Sequence, residues 1–241
     1  MCTVSWLWQT DGGYQLLCNR DEKRSRLEAA PPRVERWGEV NVIAPRDGDA
    51  GGSWIAVNDS GVAVCLLNGS APPVPLRLES RGLLLLSVAT ARGTAEVYER
   101  AWRADLTRIA PFTLLALQPH QPAAMMKWDG ERKDLLPQAD SLLPLVSSSV
   151  DAAGAAIHRG AEFARLTNSG RCLTTAALRA FHGSHIGGAS AYSPCMHRVD
   201  AATVSFSWIT VAHHWVDFFY APGAPCEFRP GHSTRLARRH S

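Results

Sequence analysis

The chain has 241 residues, of which 46% are hydrophobic and 20% charged, and its formal net charge is +3. A chain of this length can bury a large core in one domain, and the small net charge gives no reason to expect a nucleic-acid partner. The most apolar run, residues 83–89, is far shorter than the roughly 20 residues of a membrane-spanning helix. The first residues also lack the charged start and apolar stretch of a signal peptide. We therefore expect a cytoplasmic protein without a transmembrane segment.

Predicted strands and helices alternate in blocks along the chain. Period-two alternation and turn residues predict strands over residues 2–9, 14–18, 53–58, 62–67, 112–117, 123–128, 145–149, 204–211 and 215–220. Candidate N-caps Ser80, Thr94, Asp151 and Thr174 or Thr175 begin helices that end near residues 90, 104, 166 and 181. Hairpins joined by helical blocks predict antiparallel sheets with helices packed outside them.

Two long loops and a tail complete the predicted layout. Residues 69–79 and 183–196 are rich in Gly, Ser and Pro, as loops that rim a cleft often are. We expect one domain over residues 1–226. Residues 227–241 are basic, with Pro and Gly among them, and are expected to form a flexible tail.

The cysteine directly after the start methionine is the first candidate for chemistry. Removal of Met1, which the small side chain of Cys2 permits, would leave a thiol and a free α-amine on one residue. A thiolate is a strong nucleophile, and an α-amine with a pKa of about 7.7–8.0 can accept the thiol proton. The alternative is that Cys2 is a small buried residue at the start of an edge strand.

A predicted hairpin brings charged residues to the level of Cys2. The turn at residues 11–13 joins two strands over residues 2–18, so Arg20 and Asp21 follow the return strand near Cys2. A cation beside a thiol lowers its pKa, and a carboxylate can hold an ammonium. Alternatively, Arg20 and Asp21 form a structural pair that caps the hairpin.

Several motifs occur in an order that resembles the NRDE family, to which transport and Golgi organisation protein 2 of animals belongs. These are Met1-Cys2, Asn19-Arg20-Asp21-Glu22, Trp37-Gly38, Gly51-Gly52-Ser53-Trp54, Gly61 with Ala63 and Asn68, and Ser80-Arg81-Gly82. The resemblance covers most of residues 1–90. It is looser through Ser147-Ser148-Ser149 and through Arg198 with Thr203-Val204-Ser205.

The NRDE family in turn resembles N-terminal-nucleophile (Ntn) hydrolases, in particular those that cleave conjugated bile acids and penicillin V. The resemblance implies an α+β fold, a four-layer αββα sandwich of two antiparallel sheets, with Cys2 at the mouth of a cleft. Members have also been linked to haem trafficking and to lipid or coenzyme A metabolism.

Three further site residues follow from the resemblance. Asn68 ends a strand where related hydrolases carry an oxyanion donor, although Asn68 before Gly69 also suits a turn. Ser148 stands where many members have Asn, and a hydroxyl is a shorter donor; losing one oxyanion donor costs roughly 2.7–4 kcal/mol. Arg198 lies near the position of a cleft arginine, with a surface arginine as the alternative. Glu22 receives no catalytic role.

Histidines and cysteines in the second half of the chain show no known metal-binding spacing. His182 with His185, Cys195 with His197, and the pair His213-His214 would have to converge by folding, and Cys-x-x-Cys is absent from the sequence. We therefore expect no metal site and no resident cofactor. Haem stays open as a ligand of Cys195, His197 or Cys2.

Two main hypotheses result, and whether the chain is an enzyme is left open between them. The first is a cysteine Ntn amidohydrolase that cleaves a non-peptide C–N bond of a small amide through a thioester on Cys2. The second is a non-catalytic carrier that binds haem or an acyl-coenzyme A in the same cleft. A structural protein with an inherited fold is a third option. Exposed strand edges in such sandwiches would allow a homo-oligomer.

Overall fold

The computed structural model describes residues 2–69, 79–185, 187–227 and 229–239. These residues form two antiparallel sheets and four α-helices. The strands are β1 (Cys2–Trp8), β2 (Tyr14–Lys23), β3 (Ala30–Trp37), β4 (Val40–Arg46), β5 (Ile55–Asn58), β6 (Ala63–Asn68), β7 (Phe112–Leu117), β8 (Ala124–Trp128), β9 (Lys133–Leu136), β10 (Leu145–Val146), β11 (Ala201–Val211), β12 (Trp215–Pro222) and β13 (His232–Ala237). The helices are α1 (Arg81–Val88), α2 (Thr94–Arg103), α3 (Ala152–Leu166) and α4 (Thr175–His182).

The two sheets differ in whether their strands follow one another in sequence order. The first sheet has the strand order β10-β1-β2-β11-β12-β13, so it joins strands from both ends of the chain. The second sheet runs β3-β4-β5-β6-β7-β8-β9 in sequence order. Because β1 and β2 lie inside the first sheet, the residues that follow Met1 are held by strands on both sides.

Apolar side chains fill three layers of core. The layer between the sheets contains Val4, Leu16, Ile55 and Phe218 among its buried residues. Helices α1 and α2 cover the outer face of the second sheet, while α3 and α4 cover the outer face of the first. The predicted α+β, four-layer αββα sandwich is therefore confirmed.

Most predicted elements lie within a few residues of their observed bounds. The predicted first and last residues of strand β7 match the observed ones. Asp151 caps α3, as predicted, by accepting a hydrogen bond from the Gly154 amide. Thr174 caps α4 in the same way, accepting from Ala177. None of the described helices has both the length and the apolar character needed to cross a membrane.

Four strands were not predicted, and the strand predicted over residues 145–149 has only two residues in the structure. The edge strand β3 contains Pro31 and Pro32, and prolines are typical of edges rather than strand interiors. Strands β4 and β9 extend the same sheet. Strand β13 lies in the segment expected to be a flexible tail and pairs with β12 along its whole length. Strand β10 ends at Val146, so Ser147 and Ser148 follow it rather than lie in it. Of the predicted loop 69–79, residues 70–78 lie outside the described part of the chain.

Candidate active site

A cleft of about 360 Å³ opens between the two sheets at the start of β1. It joins chain segments that are distant in sequence: the start of β1, β2, the loop before β5, the end of β6 and the start of α1. Its lining includes Cys2, Arg20, Trp54, Asn68, Arg81 and Gly82. These residues come from five of the motifs that the sequence analysis singled out.

Cys2 is held at this cleft by backbone bonds on both sides. Its Cα pairs with that of Arg20 across β1 and β2, so both side chains lie on the face that points toward the second sheet. On the other side, the Cys2 amide nitrogen donates to the Ser147 Oγ over 2.9 Å, and the Cys2 carbonyl accepts from the Ser147 amide over 3.0 Å. Ser147, rather than the predicted Ser148, therefore contacts Cys2.

The thiol of Cys2 is buried, with 3% of the residue exposed. A hydrogen bond with the Cys18 thiol and burial raise the pKa of Cys2 well above its ordinary value. The Cys18 and Cys65 sulfurs are 3.9 Å apart, so three thiols lie together between the sheets. In this environment the thiol is protonated, and nucleophilic attack requires a base beside it.

Arg20 faces the cleft but does not pair with Asp21. Its guanidinium lies over the Trp54 ring, 4.2 Å from the ring centroid, and donates to Asp47. A Glu22 oxygen is 3.8 Å away. The cation that was predicted beside Cys2 is therefore present, and carboxylates already surround it.

Asp21 points to the opposite face of the sheet. Its carboxylate accepts from Arg159 of α3 over 3.0 Å and from the Thr203 hydroxyl over 2.7 Å. Neighbouring Asn19 faces the same way and donates to the His182 and Pro194 carbonyls. The reason is strand alternation: β2 continues to Lys23, so Arg20 and Asp21 must point to opposite faces. The structural alternative of an Arg20–Asp21 pair is wrong, and Asp21 does not line the cleft.

Asn68 and Ser148 flank a second cleft of about 340 Å³. Asn68 ends β6 as predicted, is half-buried, and lines both clefts. The Ser148 hydroxyl accepts from the Val150 and Asp151 amides at the start of α3, over 3.3 and 3.4 Å. Ser148 is thus engaged in ordering the turn before that helix.

Arg198, which was a candidate cleft arginine with a surface arginine as the alternative, lies away from the Cys2 cleft, whereas Arg81 lines it. Arg198 binds Asp200 over 2.7 Å in the turn before β11 and is not among the residues that line the Cys2 cleft. Arg81 at the start of α1 lines that cleft instead and donates to the Pro111 carbonyl over 2.9 Å. Burial lowers the pKa of Arg81, and the nearby Cys2 and Glu22 groups oppose that effect.

Two glycines allow two backbone segments of the cleft wall to come into close contact. The Ser53 amide donates to the Gly82 carbonyl over 3.1 Å. A Cβ on Gly52 would lie 2.6 Å from the Gly82 carbonyl carbon, and one on Gly82 would lie 2.8 Å from the Ser53 nitrogen. The two motifs that contain these glycines are therefore in contact, and side chains at either position would separate them.

The histidines considered for a metal fall into separate places. His182 is fully buried, with its Nε2 2.8 Å from the Ser5 Oγ on the helix-facing side of the first sheet. His213 and His214 lie at the turn between β11 and β12. His185 and His197 lie together, near Cys195 and Cys226.

The four-layer αββα sandwich is the fold of the Ntn hydrolases, and three solved structures share it. An N-acylethanolamine-hydrolyzing acid amidase orthologue from Caenorhabditis elegans matches with a TM-score of 0.60 at 10% identity, over 87% of this chain and 92% of that one. A mutant conjugated bile acid hydrolase from Clostridium perfringens matches with a TM-score of 0.57 at 9% identity, over 100% and 97%. Penicillin V acylase from Agrobacterium tumefaciens matches with a TM-score of 0.54 at 12% identity, over 92% and 83%.

At identities this low, the likeness shows the fold alone. The family is shown by sequence: the profile of the family Transport and Golgi organisation 2 matches residues 1–170, and the chain belongs to that family. None of the curated proteins matches the chain significantly.

Proposed function

We propose that this chain is a cysteine amidohydrolase of the Ntn type, in which removal of Met1 frees the α-amine of Cys2. The observation that supports it most is that Cys2, Arg20 and Asn68 line one cleft, while the Cys2 nitrogen lies 2.9 Å from the Ser147 hydroxyl. Nucleophile, base and oxyanion donor would then meet at one place.

The α-amine supplies the base that the buried thiol needs. In the proposed reaction, the amine accepts the thiol proton, and the Cys2 sulfur forms a bond to the carbonyl carbon of the substrate amide. The C–N bond then breaks as the leaving amine takes up that proton, which leaves a thioester on Cys2. Water hydrolyses the thioester and releases the acid. Ser147 orients the amine through the contact that it makes with the Cys2 nitrogen.

The oxyanion that forms during attack needs a hydrogen-bond donor. The side-chain amide of Asn68 at the end of β6 is the donor that we assign, because it lines the same cleft as the sulfur. Such a donor contributes about 2.7–4 kcal/mol to stabilisation of the transition state. Ser148 is assigned no such role, since it does not line that cleft and its hydroxyl oxygen accepts from the Val150 and Asp151 amides just before α3.

One arginine of the cleft, Arg81, favours an anionic amide as substrate. Arg20 is neutralised by Asp47 and Glu22. Among the described residues no carboxylate forms an ion pair with Arg81, whose guanidinium donates to the Pro111 backbone carbonyl. A half-buried arginine without such a partner is suited to bind a carboxylate of the ligand. An N-acyl amide with an acidic group therefore fits the cleft best.

The experiment combines intact mass with turnover. The purified full-length chain is first weighed to establish whether Met1 is present. N-acyl amides of the kinds named for the similar structures, namely penicillin V, a conjugated bile acid and an N-acylethanolamine, are then offered, and acid-quenched samples are weighed for an acyl adduct. Cys2→Ala is the test variant, and Cys172→Ser is the matched control because Cys172 is an exposed free cysteine.

The expected result is a mature chain that starts at Cys2, an acyl adduct, and product formation that Cys2→Ala abolishes while Cys172→Ser preserves it. A Cys2→Ala variant with full turnover would end this proposal. Retention of Met1 in all of the material would do the same, because the base would then be missing.

A further inference from the structure

Two histidines and two cysteines meet on the far side of β2 from the thiol of Cys2. We call His185, Cys195, His197 and Cys226 the His/Cys cluster. One side-chain donor atom from each of the four lies within 4.8 Å of the others. Three of them come from the segment between α4 and β11, and Cys226 comes from the short turn Pro225–Glu227 after β12.

The distances within the cluster match a tetrahedral metal site. The Nε2 of His197 is 3.5 Å from the Cys195 sulfur and 3.3 Å from the Cys226 sulfur. With Zn–S bonds of about 2.3 Å and Zn–N bonds of about 2.0–2.1 Å, adjacent S and N ligands of a tetrahedron are about 3.5 Å apart. The two sulfur–nitrogen edges at His197 are therefore already close to the spacing that a zinc ion imposes.

Hydrogen bonds alone do not satisfy these four groups. The Nε2 of His197 carries either one lone pair or one proton, so it can form one good hydrogen bond with only one of its two neighbouring sulfurs. The Nε2 of His185 is buried and has no hydrogen-bond partner among the described residues. Buried polar atoms are rarely left unpaired, and a metal ion placed among the four groups would bond to all of them.

We propose that the His/Cys cluster binds one Zn²⁺ as a closed, four-ligand structural site. Two cysteine and two histidine ligands form a set that is typical of structural zinc. No metal site was expected from the sequence, because the long interval from His197 to Cys226 hides the pattern. Strands β11 and β12 fill that interval and return the chain to the cluster.

The ion would fix a wall beside the candidate active site. A cleft of about 280 Å³ is lined by Arg20, by Ala224, which precedes the turn that carries Cys226, and by Glu227, the last residue of that turn. Zinc would tie this turn to the segment that follows α4. The four ligands include none of the groups assigned to amide hydrolysis. The zinc proposal therefore does not depend on the hydrolase proposal, and either can fail without the other.

The test uses the full-length chain and the metal itself. The protein is expressed in zinc-supplemented medium, purified without chelator under reducing conditions, and its metal content is measured by mass spectrometry of the elements. A second sample is stripped with a chelator and titrated with Co²⁺, which reports tetrahedral sulfur ligation through visible d–d bands and a thiolate-to-cobalt charge-transfer band. Cys226→Ser and His197→Asn are the test variants, and Cys172→Ser is the control.

We expect one zinc per chain in the wild type and in Cys172→Ser, and about a tenth of that content or less in the two ligand variants. The cobalt spectrum should show tetrahedral thiolate ligation, and chelation of zinc should lower the melting temperature. If the variants fail to fold by circular dichroism, the stoichiometry and cobalt spectrum of the wild type decide the question alone.

Three results would overturn the proposal. The first is a wild type that neither retains zinc nor binds added Zn²⁺ or Co²⁺. The second is full metal content in both ligand variants, which would place the ion elsewhere. The third is a disulfide between Cys195 and Cys226 in protein purified under reducing conditions, which would make the cluster a redox pair.

Discussion

Asp21 and Arg159 form a fully buried ion pair, with 3.0 Å between the Asp21 Oδ2 and the Arg159 Nη1 and neither side chain exposed. Arg159 also donates to the Thr3 hydroxyl and to the Tyr192 and Ala191 carbonyls. Through this one side chain, α3 holds β1, β2 and the segment before Cys195. The NRDE motif thus has two sides: Arg20 faces the cleft, while Asp21 anchors the helical layer.

Replacement of Arg159 by Met should destabilise the fold by about 3–5 kcal/mol, because it removes the buried cation that faces the Asp21 carboxylate. Urea unfolding of the wild type and the variant measures the difference. The double variant Asp21→Asn with Arg159→Met should recover part of the loss. A matched surface control is Arg103→Ala, whose exposed ion pair with Glu99 should cost about 0.5 kcal/mol or less.

Substitution of the adjacent residues Ser147 and Ser148 should have different effects on kcat. Ser147→Ala removes the hydroxyl that contacts the Cys2 nitrogen, and a hydrogen bond to a charged group contributes about 1.5–3 kcal/mol. We therefore expect kcat to fall roughly 10- to 100-fold. Ser148→Ala should leave kcat near that of the wild type, since its hydroxyl accepts from the Val150 and Asp151 amides just before α3. The reverse order would restore Ser148 as the oxyanion donor.

The pairing of Cys2 with Arg20 could be predicted from the sequence. Alternation along the first strand and the turn at residues 11–13 fix the hairpin, and the hairpin fixes the register. The face of Asp21 was missed because the second strand was ended at Cys18. Had the strand been continued through the motif, period-two alternation would have placed Arg20 and Asp21 on opposite faces.

The partners of these residues were harder to predict. Arg159 lies 138 positions from Asp21 in the sequence, and no local pattern joins them. One signal was available: Arg159 falls on the buried stripe of α3, with Ala155 and Phe163 one turn before and after it. A charged residue on such a stripe indicates a buried partner. The choice of Ser147 over Ser148 depends on the short strand β10, whose register with β1 no local alternation reveals.

Acid should destabilise the protein through His182. Burial, and then the nearby Arg159 cation, lower the pKa of His182 to about 3. The unfolded chain gains this proton below its ordinary pKa of about 6.5, whereas the folded chain does not until far lower pH. The free energy of unfolding therefore falls as pH drops, by about 2 kcal/mol from this group between pH 7 and pH 5.

The variant His182→Gln should lose this part of the pH dependence. Urea unfolding at both pH values, on the wild type and the variant, measures the slope. Equal slopes in the wild type and His182→Gln would show that His182 takes up its proton in the folded state.

The close contact between Gly52 and Gly82 predicts that this part of the cleft wall does not tolerate a larger side chain. Gly52→Ala places a Cβ 2.6 Å from the Gly82 carbonyl carbon, so the loop before β5 must shift. We expect a loss of about 1–3 kcal/mol in unfolding free energy, together with weaker binding of any cleft ligand. Gly160→Ala on α3 is the control: its Cβ meets no atom within 4 Å, and a helical alanine should stabilise by about 0.5–1 kcal/mol. Equal effects of the two substitutions would contradict the close contact.

Trp54 provides the means to test the carrier hypothesis against the hydrolase. It lines the cleft beneath Arg20, whereas Trp6 and Trp8 both donate to Asp140 and are absent from the cleft lining. If haem or an acyl-coenzyme A binds beside Cys2, titration should change the tryptophan fluorescence saturably, and Trp54→Phe should remove most of that change. The exposed Trp102→Phe is the matched control and should retain it. Binding of equal strength in the wild type and in Cys2→Ala, with no product formed by either, would favour a carrier, because the thiol then contributes nothing to the function of the cleft. Titration without saturation would count against haem as the ligand and leave the small amide as the occupant to pursue.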